Sequence, residues 1–375
     1  MASQRILFIG LGDLGSHMFD LLVRTRGHHS FLVGGRNLDY LQQRTNLSLL
    51  SAVQLGYEPG VACTYLDLEH REQTAETIAA FQPDIIVCAA TLQKKDVFQD
   101  LPDSVSKRLL SAQLGPRLPW HLALMYTLMQ SVSMSGQRVQ VLNAIYPDVV
   151  NPILAKVGLA PTTGVGDLAN NVPALRQVVS GLLNVPREQV DVRLIMSRYV
   201  SYWMSRIPLK DVPFSLSIAI NGVNKTDTID QAAVFQQLRS TLRRIGGSIG
   251  NIMTAASAAV IFDGIVNDTG IITHAPGPNG LPGGYPVYVD GCGVNVILPE
   301  KMSLQAAIDI NEAGLMLDGI EHIDEDGTVV FAEREMSIFR EVLGYDCRRM
   351  PLCEVDDWAK ELQVKYQKLA LHSQK

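Results

Sequence analysis

The chain has 375 residues, of which 47% are hydrophobic and 19% charged, a globular composition that excludes a disordered, collagen-like or disulfide-stapled protein. At roughly 150 residues per domain this length points to two domains, each able to bury a sizeable core. The 32 Lys and Arg are outweighed by 38 Asp and Glu, a net charge of −6, so there is no overall basic field to attract a phosphate backbone, and nucleic acid is not an expected partner.

The five cysteines, Cys63, Cys88, Cys292, Cys347 and Cys353, are odd in number and lack metal-knuckle spacing, and Cys88 lies in an apolar run; free thiols in a reducing compartment are expected. MASQRILFIG at the start has no basic region followed by an apolar stretch and a small-residue cleavage site, and no stretch reaches the roughly 18 unbroken apolar residues of a membrane span. The expectation is a soluble, cytoplasmic protein without membrane partners.

Arg5 to Ile9 (RILFI) reads as a strand, GLGDLG as a turn, and SHMFDLLVRT as a helix. Within the turn Gly10, Gly12 and Gly15 satisfy G-x-G-x-x-G. The first glycine makes the tight bend, the second lets backbone approach a pyrophosphate, and the third lets helix and strand pack closely. Asp13 and Leu14 belong to the same phosphate-facing helix start. A second strand, His29 to Gly34, arrives about twenty residues on, where a dinucleotide site reads the adenosine ribose.

An acid at that strand end would bind a ribose 2′-OH and repel a 2′-phosphate. Here the residues are Gly35, Arg36 and Asn37. Gly35 leaves space and Arg36 brings a guanidinium able to fork onto a phosphate, so the pattern favours NADP(H) over NAD; a solvated surface arginine is the other reading. A third strand, Val61 to Leu66, ends at Asp67, and a fourth lies in Gln82 to Leu92. Strands alternating with helices imply a doubly wound parallel sheet, with ligand over the strand carboxyl ends. That places Asp67 near the adenine, unless it caps the next helix, and puts Ala89, Ala90 and Thr91 beside the cofactor.

VGGRN, the Asp67 strand end and PDIIVCAA together resemble the NADP-binding Rossmann domain of saccharopine dehydrogenase-like reductases, over roughly the first hundred residues. Such a domain implies a cofactor and leaves the substrate open.

Gln93 to Pro119 is polar and mixed, in the place of a mobile lid. Trp120 to Ser133 is helical by its periodicity. Arg138 to Asn143 is a strand ending on Asn143, whose amide can hydrogen-bond a nicotinamide carboxamide. The Pro- and Gly-rich stretch that follows suggests a crossover, so the dinucleotide-binding domain is expected over 1–150 and an α+β substrate domain over 151–375. Beyond it come a helix (Val172 to Leu183), strands (Val190 to Met196 and Phe214 to Ile220), a helix (Ala232 to Arg244) and a small-residue helix (Ile252 to Val266).

The order of NVPALRQVVSGLLNVPREQVDVRLI, GSIGNIMTAASAAVIFDGIVND and GGYPVYVDGCGVNVILPE resembles the lactate and malate dehydrogenase superfamily over residues 143–300. The resemblance implies that Arg176 forks onto a substrate carboxylate. Where that superfamily has its proton-relay histidine, this chain reads Met196, Ser197, Arg198, Tyr199.

The proton donor is therefore sought among His274, in the Pro/Gly-rich THAPGPNGLPGGYPV; His121, opening the helix after the lid segment; and Tyr199. Asn251 and Thr254, at the start of the small-residue helix, are candidates for orienting substrate. No H-E-x-x-H or Cys/His framework is present, so no metal site is expected, and G-x-S-x-G is absent. The last helix, Val355 to Leu371, is amphipathic and packs on the first domain or on a second subunit. The sequence points to an NADP-dependent dehydrogenase or reductase acting on the carbonyl or imine of a small polar metabolite, as a homodimer. A lyase or oxidoisomerase retaining its nicotinamide cofactor and a non-catalytic NADP-binding sensor are the alternatives.

Overall fold

A computed structural model describes residues 3–94 and 97–373. Its first half alternates strand and helix: β1 (Arg5–Ile9), α1 (Asp13–Leu22), β2 (Ser30–Gly35), α2 (Leu38–Gln54), β3 (Gly60–Tyr65), α3 (Arg71–Phe81), β4 (Ile85–Cys88), α4 (Asp103–Leu110), α5 (Leu118–Ser135), β5 (Gln140–Asn143), α6 (Pro147–Lys156) and β6 (Thr163–Gly164). The six strands form one sheet in the order β3-β2-β1-β4-β5-β6, every pair parallel. This is the doubly wound order, with a switch point between β1 and β4. Ile6 to Ile9 and Ile85 to Cys88 are buried on both faces, which is why both strands read as unbroken apolar runs rather than alternating ones. The sheet continues past residue 150, since β6 lies at Thr163–Gly164.

The second half contains α7 (Val172–Leu183), β7 (Val190–Met196), α8 (Arg198–Met204), β8 (Phe214–Ile220), β9 (Val223–Asn224), α9 (Gln231–Ser240), α10 (Gly247–Val266), β10 (Ile271–Pro276), β11 (Gly284–Asp290), β12 (Gly293–Val296) and α11 (Leu304–Leu317). Its sheet runs β10-β11-β7-β8-β9 with β12 on β11, and its pairs are antiparallel. A small sheet follows from β13 (Ile320–Ile323), β14 (Val329–Phe331) and β15 (Arg349–Met350), with α12 (Glu333–Leu343) and α13 (Val355–Ser373). The α/β class with an antiparallel second unit agrees with the sequence.

Helix α10 is long and apolar enough to cross a membrane by length and composition, yet it lies along α1 and buries Ala255, Ala258, Ile261 and Phe262. Its small residues allow that close approach.

The segment expected to be a lid departs from that expectation. Lys95 and Asp96 fall outside the described residues, but Val97, Phe98, Leu101, Leu109 and Leu114 are buried. Phe98 sits among Trp120, Phe339 and Tyr366, with ring centroids 6.0, 5.8 and 5.9 Å away. Tyr366 donates its hydroxyl to Val97 O at 3.0 Å, and Trp120 Nε1 donates to Ala359 O at 3.1 Å. Helix α13 thus packs on the first half of the chain and clamps the segment; aromatic anchors hidden in a polar stretch make it part of the core.

Candidate functional site

A cleft of about 920 Å³ runs along the carboxyl ends of the parallel strands. At its centre is the glycine turn. Gly10 has φ 96°, and a Cβ there would lie 2.7 Å from Ala90 N. At Gly15 a Cβ would fall 1.8 Å from Gly10 O, so only glycine lets α1 pack this closely. Gly12 differs: a Cβ there would meet nothing within 4 Å. It is the N-cap of α1, with no side-chain cap, so the turn leaves open space for a ligand over uncapped helix amides, a cradle that fits a pyrophosphate. Asp13 and Leu14 line the same wall.

Gly34, Gly35, Arg36, Asn37 and Asp67 line one end. A Cβ at Gly35 would lie 3.2 Å from Leu41 Cδ1, a tight contact with the movable end of that side chain. The Arg36 side chain is 64% exposed, with Glu69 at 3.8 Å. Asn37 caps α2 by accepting from Tyr40 N at 3.0 Å, while Asp67 accepts from Glu69 N at 3.1 Å in the turn before α3 and does not cap that helix, whose N-cap is His70. Tyr40, which sequence reasoning missed, lines this end and donates its hydroxyl to Leu11 O at 3.2 Å.

Ala89, Ala90 and Thr91 continue the wall to His121. His121 is buried, its Nδ1 2.9 Å from Thr91 Oγ1 and its ring 4.6 Å from that of Tyr146. When Thr91 gives its single hydroxyl proton to Trp120 O, 3.0 Å away, Nδ1–H of His121 donates to Thr91 and the neutral ring keeps Nε2 as its acceptor nitrogen. Asn251 and Thr254 also line the cleft, and Thr254 Oγ1 accepts from Asn170 Nδ2 at 3.0 Å.

Four candidates are corrected. His274 is on β10, buried, and its Nε2 accepts from Leu194 N at 3.0 Å. Strand β11 pairs with β7 only at Gly284↔Met196, so Leu194 lacks a ladder acceptor on that side and the imidazole supplies one. Burial, with Arg193 and Arg176 nearby, lowers its pKa to about 3, so the ring stays neutral with Nε2 committed to Leu194, away from the cleft. Arg176 ties down carbonyls of its own connection, donating to Val190 O at 2.9 Å and Arg187 O at 3.2 Å, and does not line the cleft. Tyr199 lines a separate small hollow with Arg334 and Glu335. Asn143 is fully buried, giving its amide protons to Ile145 O and Asn151 Oδ1 and accepting from Ile145 N; it shapes the loop after β5 and is no cofactor ligand.

That loop presents Tyr146 to the cleft, with φ 42° at the start of α6. The corresponding loop after β6 presents Asp167, also left-handed at φ 46°; such strained non-glycine residues cluster at working sites. Neither carried a sequence signal beyond its neighbouring Pro or Gly. Arg206 and Arg244 line the second-half wall. Burial and the Arg206 charge both lower the pKa of Arg244, which donates to Asn170 O and Asn171 Oδ1. The partners of Arg206, Tyr202 O and Ser205 Oγ, are likewise uncharged. Behind the wall Arg198 forks onto Asp318, Nε to Oδ2 at 2.9 Å and Nη2 to Oδ1. No group of three or more potential metal ligands occurs among the described residues.

No family model matches the chain, and no curated protein matches it in sequence. Among solved structures it is similar to the lactate dehydrogenase of Cryptosporidium parvum, complexed with lactic acid and nicotinamide adenine dinucleotide, at 14% identity and TM-score 0.57, covering 85% of this chain and 99% of that one. The lactate dehydrogenase of Eimeria maxima with NADH and oxamate follows at 13% and 0.56, covering 84% and 92%. The malate dehydrogenase of Plasmodium falciparum with NADH stands at 14% and 0.51, covering 84% and 96%. At these identities the likeness establishes the fold: a doubly wound nucleotide-binding sheet joined to an antiparallel second unit, as in the lactate and malate dehydrogenases.

Proposed function

We propose that the protein is an NADP-dependent oxidoreductase that moves hydride between NADPH and the carbonyl or imine of a small carboxylated metabolite. The observation that carries this reading is the single cleft joining Arg36, the open face of Gly12 and the His121 end. The dinucleotide supplies the hydride; the chain binds, orients and handles the proton. Gly12 and the α1 amides hold the pyrophosphate. Arg36 takes the ribose 2′-phosphate, a choice supported by the absence of an acid at the end of β2 and by the VGGRN resemblance to saccharopine dehydrogenase-like reductases. Arg206 and Arg244 take over the carboxylate-binding part first given to Arg176, and His121 Nε2, its acceptor nitrogen, takes a hydrogen bond from the hydroxyl of the reduced substrate. Nicotinamide dinucleotides in the similar dehydrogenase structures support the cofactor class.

The test is consumption of NADPH across a panel of 2-oxo acids, aldehydes and imines. Turnover confined to carboxylated substrates, with KM raised about ten-fold or more in Arg206→Ala, the scale of a lost charged hydrogen bond, supports the assignment. Tight NADPH binding without turnover on any of them would instead favour a sensor, the reading motivated by the missing histidine relay. The homodimer and cytoplasmic location belong to the same proposal: Leu47 and Leu50 on α2 and Ile249 on α10 are exposed apolar side chains that a second copy would cover, and all five thiols are free.

A further inference from the structure

Asp148 lies in the first turn of α6 with no exposed surface, and neither carboxyl oxygen has a hydrogen-bond donor among the described residues. An isolated buried carboxylate without donors is among the costliest arrangements a protein can hold. Its side chain instead meets the carboxyl of Asp167 within hydrogen-bonding reach. Two ionised carboxylates offer only acceptors, so that contact is a hydrogen bond only if one of them carries a proton. Asp167 in turn lines the cleft.

We propose that Asp148 and Asp167 hold one proton between them at neutral pH and that Asp167 delivers it to the reacting oxygen in the cleft. The proposal rests on the oxidoreductase reading for its chemistry and on the carboxyl contact for its proton. Adding hydride to a carbonyl carbon leaves an alkoxide that needs one proton. The single shared proton shifts from Asp148 to Asp167 as Asp167 gives it to the alkoxide, both carboxyls end ionised, and a proton taken up from solvent through the cleft restores the pair after product leaves. The arrangement complements His121, whose Nε2 is the acceptor nitrogen when the ring is neutral.

The surrounding groups pull both ways. Burial and then Asp167 push the Asp148 carboxyl well above the usual carboxylate range; Arg198 opposes them and Asp318 adds to them. The position in the first turn of α6 also favours an anion. Arg198 is already committed to Asp318, which limits how far it can ionise Asp148. Tyr285, buried nearby, offers a hydroxyl that finds no hydrogen-bond partner of standard geometry, and the Tyr146 ring lies over the Arg198 guanidinium, 5.3 Å from its Cζ.

The test uses the full chain. Infrared spectra of the cofactor-free protein at neutral pH are expected to contain a carboxylic-acid C=O band, shifted in D2O, that disappears in Asp148→Asn. In NADPH-dependent reduction, Asp167→Asn should lower kcat by about 10²–10⁴-fold with the NADPH Kd unchanged, while Asp148→Asn moves the alkaline limb of the kcat profile to lower pH. Absence of the neutral-pH band, or its survival in Asp148→Asn, overturns the shared proton. Wild-type turnover by Asp167→Asn alongside an inactive His121→Gln overturns the delivery step. Failure to bind NADPH would instead overturn the cofactor reading, and the infrared band would still decide whether the proton is there.

Discussion

Replacing Asp318 with asparagine removes the charge facing Arg198 without changing side-chain shape. The pair is nearly dry, with side-chain exposures of 8% and 0%, and burial alone disfavours the charged guanidinium, against which Asp318 acts first to hold it protonated. Breaking such a pair by removing one partner costs about 3–5 kcal/mol, because the other charge is left buried. Two features moderate the loss: Asn keeps one acceptor for the Arg198 fork, and Asp148 can ionise to supply a replacement charge. The expected loss is therefore near the lower end, about 3 kcal/mol, or roughly 1 M in the urea midpoint for a slope near 3 kcal/mol/M. Equilibrium urea unfolding followed by circular dichroism measures it. The double change Arg198→Met with Asp318→Leu should recover most of the stability, since apolar replacements of buried pairs are often neutral. A loss below about 1 kcal/mol, the range of exposed pairs, would refute the reasoning by showing that water screens the site.

Further outcomes follow from individual positions. The His274 pKa of about 3 lies below its ordinary 6.5, so between those values the folded protein binds fewer protons than the unfolded chain. Its contribution to stability is full above about pH 6.5 and falls as pH drops toward 3, at up to ~1.4 kcal/mol per pH unit. His274→Gln, which keeps an acceptor for Leu194 N, should flatten that slope in thermal melts and leave NADPH affinity unchanged. Arg36→Ala should weaken NADPH binding by about 1–3 kcal/mol in calorimetric titration and spare NADH, since its resting contact with Glu69 is an exposed pair worth about 0–1 kcal/mol; equal losses would count against the 2′-phosphate role. Gly12→Ala meets no protein atom, so its urea midpoint should match wild type while dinucleotide binding is lost; Gly15→Ala, forced against Gly10 O, should lose stability as well.

The nucleotide-binding end was legible in the sequence because its signals are local. Glycines at 10, 12 and 15, the short apolar strands and the missing acid after β2 each act through backbone geometry or charge within a few residues, and the structure gathers them along one wall. The substrate end was harder to read because it is assembled from loops distant in sequence. Tyr146, Asp167, Arg206 and Arg244 converge only after the antiparallel unit folds onto the parallel one. His274 misled because a Pro/Gly-rich stretch looked like a loop, whereas it builds β10 and its bend to β11, and the imidazole fills a gap in the β7 ladder. Arg176 sits at the expected chain position, but its fork is taken by the carbonyls of Val190 and Arg187. Polar residues flanking Phe98 likewise concealed a core anchor inside the segment expected to be a lid.

The measurement closest to the central claim is a calorimetric titration of the purified protein with NADPH and with NADH, repeated on Gly12→Ala. Saturable binding, tighter for NADPH, with a raised melting temperature and abolished by Gly12→Ala, is the predicted result. If neither dinucleotide binds, the glycine turn serves only to pack α1 on the sheet, and the oxidoreductase assignment is contradicted.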